Sequence, residues 1–188
     1  MKKNISKILI TSFLILLLAG CGSNENKTTT TNNISSKDNE TTSSPYDKGY
    51  LEVNEEDVEG MEKMTCTREA TGENSSEVNL NYELYYEGEY LGLIHSMEEV
   101  VSEDADTLDE YETAYINIYK NYEDLEYYDT SVVRTSNSVT NDTIINYKKI
   151  DTNKLLEIEG EEDNIIKDGK VKLDDWLDFT SQFGMECE

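Results

Sequence analysis

Three cysteines and a single histidine carry most of the nucleophilic and metal-binding chemistry of this 188-residue chain. His95 is the one imidazole, so a Ser-His-Asp or Cys-His mechanism would have to use it. It falls inside a predicted strand, and no nucleophile motif such as Gly-x-Ser-x-Gly lies near it. Zinc sites usually need several histidine or cysteine ligands. These residues therefore predict no histidine-based enzyme, no zinc centre and no cofactor.

Carboxylates are the abundant chemical group, with 41 Asp and Glu against 16 Lys and Arg and a net charge of −25 at pH 7. A field of this sign disfavours nucleic acid and anionic lipid head groups, and it favours cations or basic proteins and peptides. An acidic surface also keeps an exposed protein soluble without any partner. With so many acids, the spacing of the residues does not single out one acid–base pair. A carboxylate-based hydrolase is therefore kept as an alternative without assigned catalytic residues.

One local pattern can be aligned with a calcium loop. Asn164, Asp168 and Asp175 fall on positions one, five and twelve of an EF-hand. Ile166 occupies position three, where an oxygen ligand is needed, and aspartate stands where position twelve usually has glutamate. A turn at Asp168-Gly169 followed by a capped helix is the simpler interpretation. A calcium-dependent binding module with these three ligands is kept as an alternative.

The third kind of chemistry is at the amino terminus, where a cysteine follows an apolar run. Three lysines precede the uncharged stretch from Ile8 to Leu18, and Leu18-Ala19-Gly20-Cys21 follows the pattern of a lipobox. This arrangement predicts a lipoprotein signal peptide over residues 1–20, with a diacylglyceryl group on the thiol of Cys21. Cleavage would remove the three lysines and leave a more acidic mature chain.

Such an anchor places the rest of the chain at the extracytoplasmic face of the cell membrane. Two acyl chains hold a protein stably at a membrane, whereas one binds only reversibly. The alternative is an uncleaved transmembrane anchor, but the run from Ile8 to Leu18 is shorter than the ~20 residues that cross a bilayer. Both interpretations leave the domain outside the cytoplasm, because the lysines remain on the inner side.

The two other cysteines, Cys66 and Cys187, form an even number in a chain predicted to be exported. A disulfide between them is therefore expected. The alternative is a redox or nucleophilic thiol, which lacks a Cys-x-x-Cys spacing or a nearby histidine here.

Composition divides the chain into three parts. Residues 22–44 are almost entirely Ser, Thr, Asn, Lys and Glu, which cannot build a core. The following segment, up to residue 61, is acidic and poorly periodic. We therefore assign 1–20 to the signal peptide, 21–61 to a lipid-anchored tether with an acidic lead-in, and 62–188 to a single globular domain.

The first half of that domain shows the two-residue alternation of strands. Apolar and polar residues alternate from Val78 to Tyr86, which predicts a half-buried strand. Glu87-Gly88 then supplies a turn into a returning strand from Tyr90 to Val101, and the segment from Lys63 to Thr71 is a plausible neighbour.

A helix and a second hairpin follow. Thr107 and Glu110 fit a capping box at the start of a long helix with one apolar face. Two Val- and Ile-rich segments around an Asn141-Asp142 turn predict the hairpin, and short helices are expected from Asn153 and from Asp174. The order βββαββ, then short C-terminal helices, predicts an α+β fold with an antiparallel sheet of about five strands covered on one face by the long helix.

Tyrosine combines a flat apolar ring with a polar tip and can contact sugars or peptides. Most tyrosines on the long helix follow its apolar face, so they are expected in the core. Four others lie off these patterns and are expected to be exposed: Tyr85, Tyr119, Tyr127 and Tyr128.

The chain resembles the YehR-like lipoproteins, a family of small bacterial lipoproteins. The resemblance rests on the lipobox, the stretch from Val78 to Gly88, the tyrosine-rich helix, and the segment from Asp142 to Asp151 that leads into Lys154-Leu155. It implies a compact α+β domain on a lipid anchor, with no activity or catalytic residues to carry over. We therefore expect a monomeric, non-catalytic binding module that contacts the membrane through its anchor and an envelope protein or peptide through its domain.

Overall fold

A computed structural model describes residues 44–162 and 164–188. The predicted signal peptide and the lipidation site at Cys21 lie outside the described residues. Within them, no helix is both long enough and apolar enough to span a membrane.

The domain is built on one antiparallel sheet. The strands are β1 (Glu62–Thr71), β2 (Glu77–Glu87), β3 (Tyr90–Val101), β4 (Tyr128–Arg134), β5 (Ser138–Asn146), β6 (Ile166–Lys167), β7 (Lys170–Val171) and β8 (Glu186–Cys187). Six of them form the sheet in the order β4-β5-β3-β2-β1-β8, and β6 and β7 form a separate short hairpin. The helices are α1 (Glu55–Val58), α2 (Ala105–Tyr119), α3 (Thr152–Glu159) and α4 (Leu173–Ser181). The predicted α+β fold is confirmed, and β8 adds a sixth strand to the sheet.

The core lies between the sheet and its helices. Val78, Leu80, Tyr82 and Leu84 alternate along β2 and are all buried, as the sequence pattern predicts. The long helix α2 turns Leu108 and the tyrosines at 111, 115 and 119 inward. Because successive strand residues point to opposite faces, the alternate residues Asn79, Asn81 and Glu83 of β2 lie on the other face of the sheet.

The disulfide joins the two ends of the domain. Cys66 of β1 and Cys187 of β8 are paired directly across the strands and are bonded to each other. The expected disulfide is therefore present, and it holds the C-terminal strand at the edge of the sheet.

The hairpin between β4 and β5 turns earlier than predicted. Asn141-Asp142 was expected to form the turn, but Thr135 to Asn137 form it instead, and both predicted turn residues are fully buried within β5. Asn and Asp favour turns because their side chains can bond the nearby backbone. Here partners far along the chain satisfy both side chains, so that preference does not decide the structure.

The start of the long helix also differs from the prediction. Asp104, rather than Thr107, is the N-cap, and its carboxylate accepts the backbone N–H of Asp106. Thr107 lies within the first turn, where its hydroxyl donates to the same Asp104 carboxylate. The predicted short helices are present as α3 and α4, and Gly184 lies three residues beyond the end of α4.

Residues 44–61, here called the N-terminal strap, cross the edge strand β4 and pack on the sheet. The carbonyl of Tyr46 accepts the backbone N–H of Val132 in β4. The backbone N–H of Leu51 donates to Asp142, on the face opposite α2. Met61 packs so closely on Gly92 that a Cβ atom there would lie 2.6 Å from its sulfur. The acidic lead-in of the sequence analysis therefore contacts the domain from residue 44 onwards.

Candidate functional site

An open groove lies between the N-terminal strap and the connection from α2 to β4. It encloses about 620 Å³ and is lined by Pro45, Tyr46, Lys48, Tyr119 and residues 122–130, and we call it the tyrosine groove. Ligand sites in proteins commonly enclose ~300–1,000 Å³. The groove therefore has the volume of a binding site.

Stacked tyrosines form the floor of the tyrosine groove. Tyr122 and Tyr128 stack with ring centroids 4.3 Å apart, and Tyr119 lies 6.1 Å from Tyr128. All three rings are buried. Such aromatic contacts hold the rings in fixed positions, so the buried rings support the groove from beneath.

Tyr127 stands at the rim with a different conformation. Its φ of 68° lies in the left-handed region, which a tyrosine rarely adopts, and its side chain is 45% exposed. Its carbonyl accepts the backbone N–H of Asn146, which fixes the loop to the end of β5. The Nζ atom of Lys149 lies 5.6 Å from the centroid of the Tyr127 ring. The same ammonium pairs with Asp57 of the strap, and this hydrogen bond raises the pKa of Lys149.

The rim is acidic. Three carboxylates on the connection from α2 to β4 and one at the start of β4 line the groove and are exposed to solvent: Glu123, Asp124, Glu126 and Asp129. Lys48 stands on the strap side. The rim therefore carries more negative than positive charge beside an exposed aromatic ring.

A buried polar network reaches the floor of the groove from the core. Glu98 is 4% exposed and accepts a hydrogen bond from the Tyr82 hydroxyl at 2.5 Å. Burial raises the pKa of Glu98 to about 7, against the opposing effect of hydrogen bonds from Tyr82 and Asn141. The amide of Asn141 also donates to the Tyr119 hydroxyl at 2.6 Å. Asn141, which was predicted to lie in a turn, therefore fixes Tyr119 in place.

A second raised pKa belongs to Glu159, at a small cavity between the sheet and the C-terminal helices. The cavity holds about 30 Å³ and is lined by aromatic rings together with Ser96, Thr143 and Asn164. Burial raises the pKa of Glu159 to about 7, although Asn164 donates a hydrogen bond to its carboxylate at 3.0 Å. This volume accommodates one or two water molecules.

His95 lies on the opposite face of the sheet, under the strap. Its Nε2 atom is 2.8 Å from Oδ1 of Asp142, and its Nδ1 atom is 3.8 Å from the Glu83 carboxylate. The other oxygen of Asp142 accepts the N–H of Leu51. Each nitrogen thus faces a carboxylate, which suits a structural histidine that ties the strap to the sheet.

The residues of the possible calcium loop take part in a local hydrogen bond, a turn and the start of a helix. Asn164 is buried, with its side-chain oxygen accepting the backbone N–H of Ile166. Asp168 and Gly169 both have positive φ and form the turn between β6 and β7, and Asp175 is exposed in the first turn of α4. Across residues 44–162 and 164–188, no three His, Cys, Asp or Glu side chains are grouped to hold a metal ion.

The tyrosine predictions have mixed outcomes. Tyr127 is exposed as expected, and Tyr85 is half-buried. Tyr119 and Tyr128 were expected at the surface, but they are buried in the floor of the groove because their rings pack on each other and on Tyr122. The groove itself was not predicted, since its strap side comes from a segment without periodicity.

Comparison with known proteins gives only distant likenesses. No protein-family model matches the chain, and no curated protein matches it. Among solved structures, the NMR structure of the Escherichia coli YehR protein is 13% identical, covers 68% of this chain and 92% of that one, and has a TM-score of 0.49. An NMR structure of a protein from Streptococcus pneumoniae TIGR4 is 11% identical, covers 90% and 100% of the two chains, and has a TM-score of 0.44. A YehR protein is thus a distant structural neighbour, and these likenesses do not show membership of a lipoprotein family.

Proposed function

We propose that the protein is a lipoprotein anchored to the outside of the cell membrane through Cys21, and that its domain is a non-catalytic module that binds an envelope protein or peptide. The anchor is inferred from the basic start, the apolar run and the lipobox. The binding role is inferred from one observation, the open tyrosine groove of about 620 Å³ with the exposed ring of Tyr127 at its rim.

A peptide or protein segment fits this groove better than a small molecule does. The groove is open to solvent between the strap and the α2–β4 connection, so it contacts a ligand along one side. Tyrosine is enriched at protein interfaces because its ring provides apolar contact and its hydroxyl remains hydrated. An extended segment would contact the exposed ring of Tyr127 and meet the carboxylates at the rim.

The positions of the two acids with raised pKa, Glu98 and Glu159, favour binding over hydrolysis. Glu98 is enclosed in the core network with Tyr82 and Asn141, and Glu159 faces a cavity of about 30 Å³. A general acid must lie within hydrogen-bond reach of its substrate. Neither carboxylate lines the groove that could admit a substrate. Calcium-dependent binding is less favoured because Asn164, the first ligand of the possible loop, already bonds its own backbone.

The test is site-specific photo-cross-linking in intact cells. A photoreactive amino acid replaces Glu126 in the groove or, as a control, Glu157, which is exposed on α3 away from the groove. We expect a defined adduct from position 126 that is absent from position 157 and is lost when Tyr127→Asn removes the rim ring. Equal adducts from both positions, or none from position 126, would contradict the proposed binding site.

A further inference from the structure

The exposed ring at the rim of the tyrosine groove already binds an ammonium group. Lys149 lies over Tyr127 at 5.6 Å from the ring centroid, within the distance of a cation–π contact. With 45% of its surface exposed, the Tyr127 side chain still offers a large accessible area. This internal contact shows that the electrostatics at this ring accept a cation.

The surroundings of the ring suit a positive group from outside the chain. Glu126 and Asp129 lie one and two residues from Tyr127, and Glu123 and Asp124 belong to the same groove wall. Lys149 is neutralised by Asp57, so it does not balance these carboxylates. A cation over the ring would therefore gain both an aromatic face and adjacent negative charge.

Resting on the proposed function, we infer that the tyrosine groove binds an arginine-containing basic segment of its partner, with the guanidinium group stacked on Tyr127 and paired with the rim carboxylates. Guanidinium is favoured over ammonium because it is planar, stacks on aromatic rings and can donate two parallel hydrogen bonds to a carboxylate.

The rim fixes this geometry before the ligand arrives. The left-handed backbone of Tyr127 turns its side chain away from the buried pair Tyr122 and Tyr128. The hydrogen bond from Asn146 to the Tyr127 carbonyl holds the loop in this conformation. A preformed ring costs less ordering on binding than a mobile one does.

Calorimetry with the mature lipidated protein in detergent micelles tests the inference. The probes are short synthetic peptides of identical length that carry two arginines, two lysines or two glutamates. We expect the arginine peptide to bind about tenfold more tightly than the lysine peptide, and the glutamate peptide not to bind. Equal affinities for arginine and lysine would overturn the guanidinium assignment.

Variants then locate the contact. Tyr127→Asn keeps a residue that tolerates the left-handed conformation and should weaken arginine binding about tenfold. Tyr50→Asn removes another exposed tyrosine outside the groove and should leave affinity unchanged. Glu126→Gln with Asp129→Asn should weaken binding more than Glu157→Gln with Glu161→Gln, which removes the same charge elsewhere. Equal losses in the two tyrosine variants would show that Tyr127 is not the contact, and equal losses in the two acid variants would show a general charge effect. Either result would overturn the inference.

The two proposals fail in different ways. If the arginine peptide does not bind but position 126 still cross-links its partner in cells, the inference about arginine is wrong and the proposed function stands. If cross-linking from position 126 is absent as well, the proposed function fails with it.

Discussion

The carboxylate of Asp142 accepts a hydrogen bond from the backbone N–H of Leu51 at 2.8 Å, which fastens the N-terminal strap to the sheet. The other oxygen of this buried carboxylate lies 2.8 Å from Nε2 of His95. One wall of the tyrosine groove belongs to the strap, so this contact also supports the groove.

Removing the Asp142 carboxylate should therefore destabilise the protein and loosen the strap. We expect Asp142→Ala to lower the free energy of unfolding by about 1–3 kcal/mol, because it leaves the buried Nε2 atom of His95 and the backbone N–H of Leu51 without their shared hydrogen-bond partner. Amide hydrogen exchange at Leu51 should also become faster. Asp129→Ala, at an exposed position on β4, is the control and should change stability little. A stability loss in Asp142→Ala no larger than in the control would contradict this role.

The buried Glu98 should make stability depend on pH. Its pKa is raised by burial from 4.5 to about 7 in the folded protein. The folded state therefore holds a proton that the unfolded state releases, so this contribution to stability is complete below about pH 4.5 and is lost as the pH rises through about 7. We expect the free energy of unfolding to fall between about pH 5 and pH 8, as measured by urea denaturation.

Variants separate this effect from the repulsion among the surface acids. Glu98→Gln should reduce the pH dependence and leave the part that the raised pKa of Glu159 contributes, whereas Glu99→Gln, one residue along β3 on the opposite face, should keep it in full. Identical slopes in the two variants would show that the repulsion of many carboxylates, rather than Glu98, sets the pH dependence.

Some parts of this structure can be predicted from the sequence, and others cannot. The alternation in β2 was predicted correctly, and the turn after it lies at Gly88-Glu89, one residue later than predicted, because the causes of both are local. Asn141 and Asp142 were placed in a turn, yet they are buried by partners 22 residues away at Tyr119 and 91 away at Leu51. Local preference gives no signal of such distant hydrogen bonds.

The groove was harder to predict than the sheet. The strap forms one of its walls through backbone hydrogen bonds, which leave no pattern in side-chain hydrophobicity. Tyr127 and Tyr128 are adjacent and were expected to share one environment, but one is exposed and the other buried. The left-handed conformation of Tyr127 separates them, and a non-glycine residue in that region is seldom predictable from sequence.

The disulfide should contribute several kilocalories per mole. Cys66 and Cys187 are 121 residues apart, and closing a loop of this size stabilises a protein by about 5 kcal/mol in the chain-entropy model. We expect a reducing agent to lower the melting temperature of the wild type. The Cys66→Ser, Cys187→Ser double variant should melt at the lower temperature with or without the agent. A wild-type melting temperature that reducing agent does not change would contradict this contribution.

Lipidation should depend on one thiol. We expect Cys21→Ala to block diacylglyceryl transfer, so that labelled palmitate is no longer incorporated and the protein is mislocalised or released. The Cys66→Ser, Cys187→Ser double variant removes the other two cysteines and should leave labelling unchanged. Continued lipid labelling of Cys21→Ala would refute the anchor.

Amide NMR of the isotope-labelled mature chain, made soluble by Cys21→Ser and titrated with the arginine peptide, tests the binding groove most directly. Binding in the tyrosine groove predicts shift changes concentrated at residues 122–130 and 45–48, and their loss in Tyr127→Asn. Changes spread over the acidic surface, or centred on β1 and β8 and unaffected by Tyr127→Asn, would contradict it.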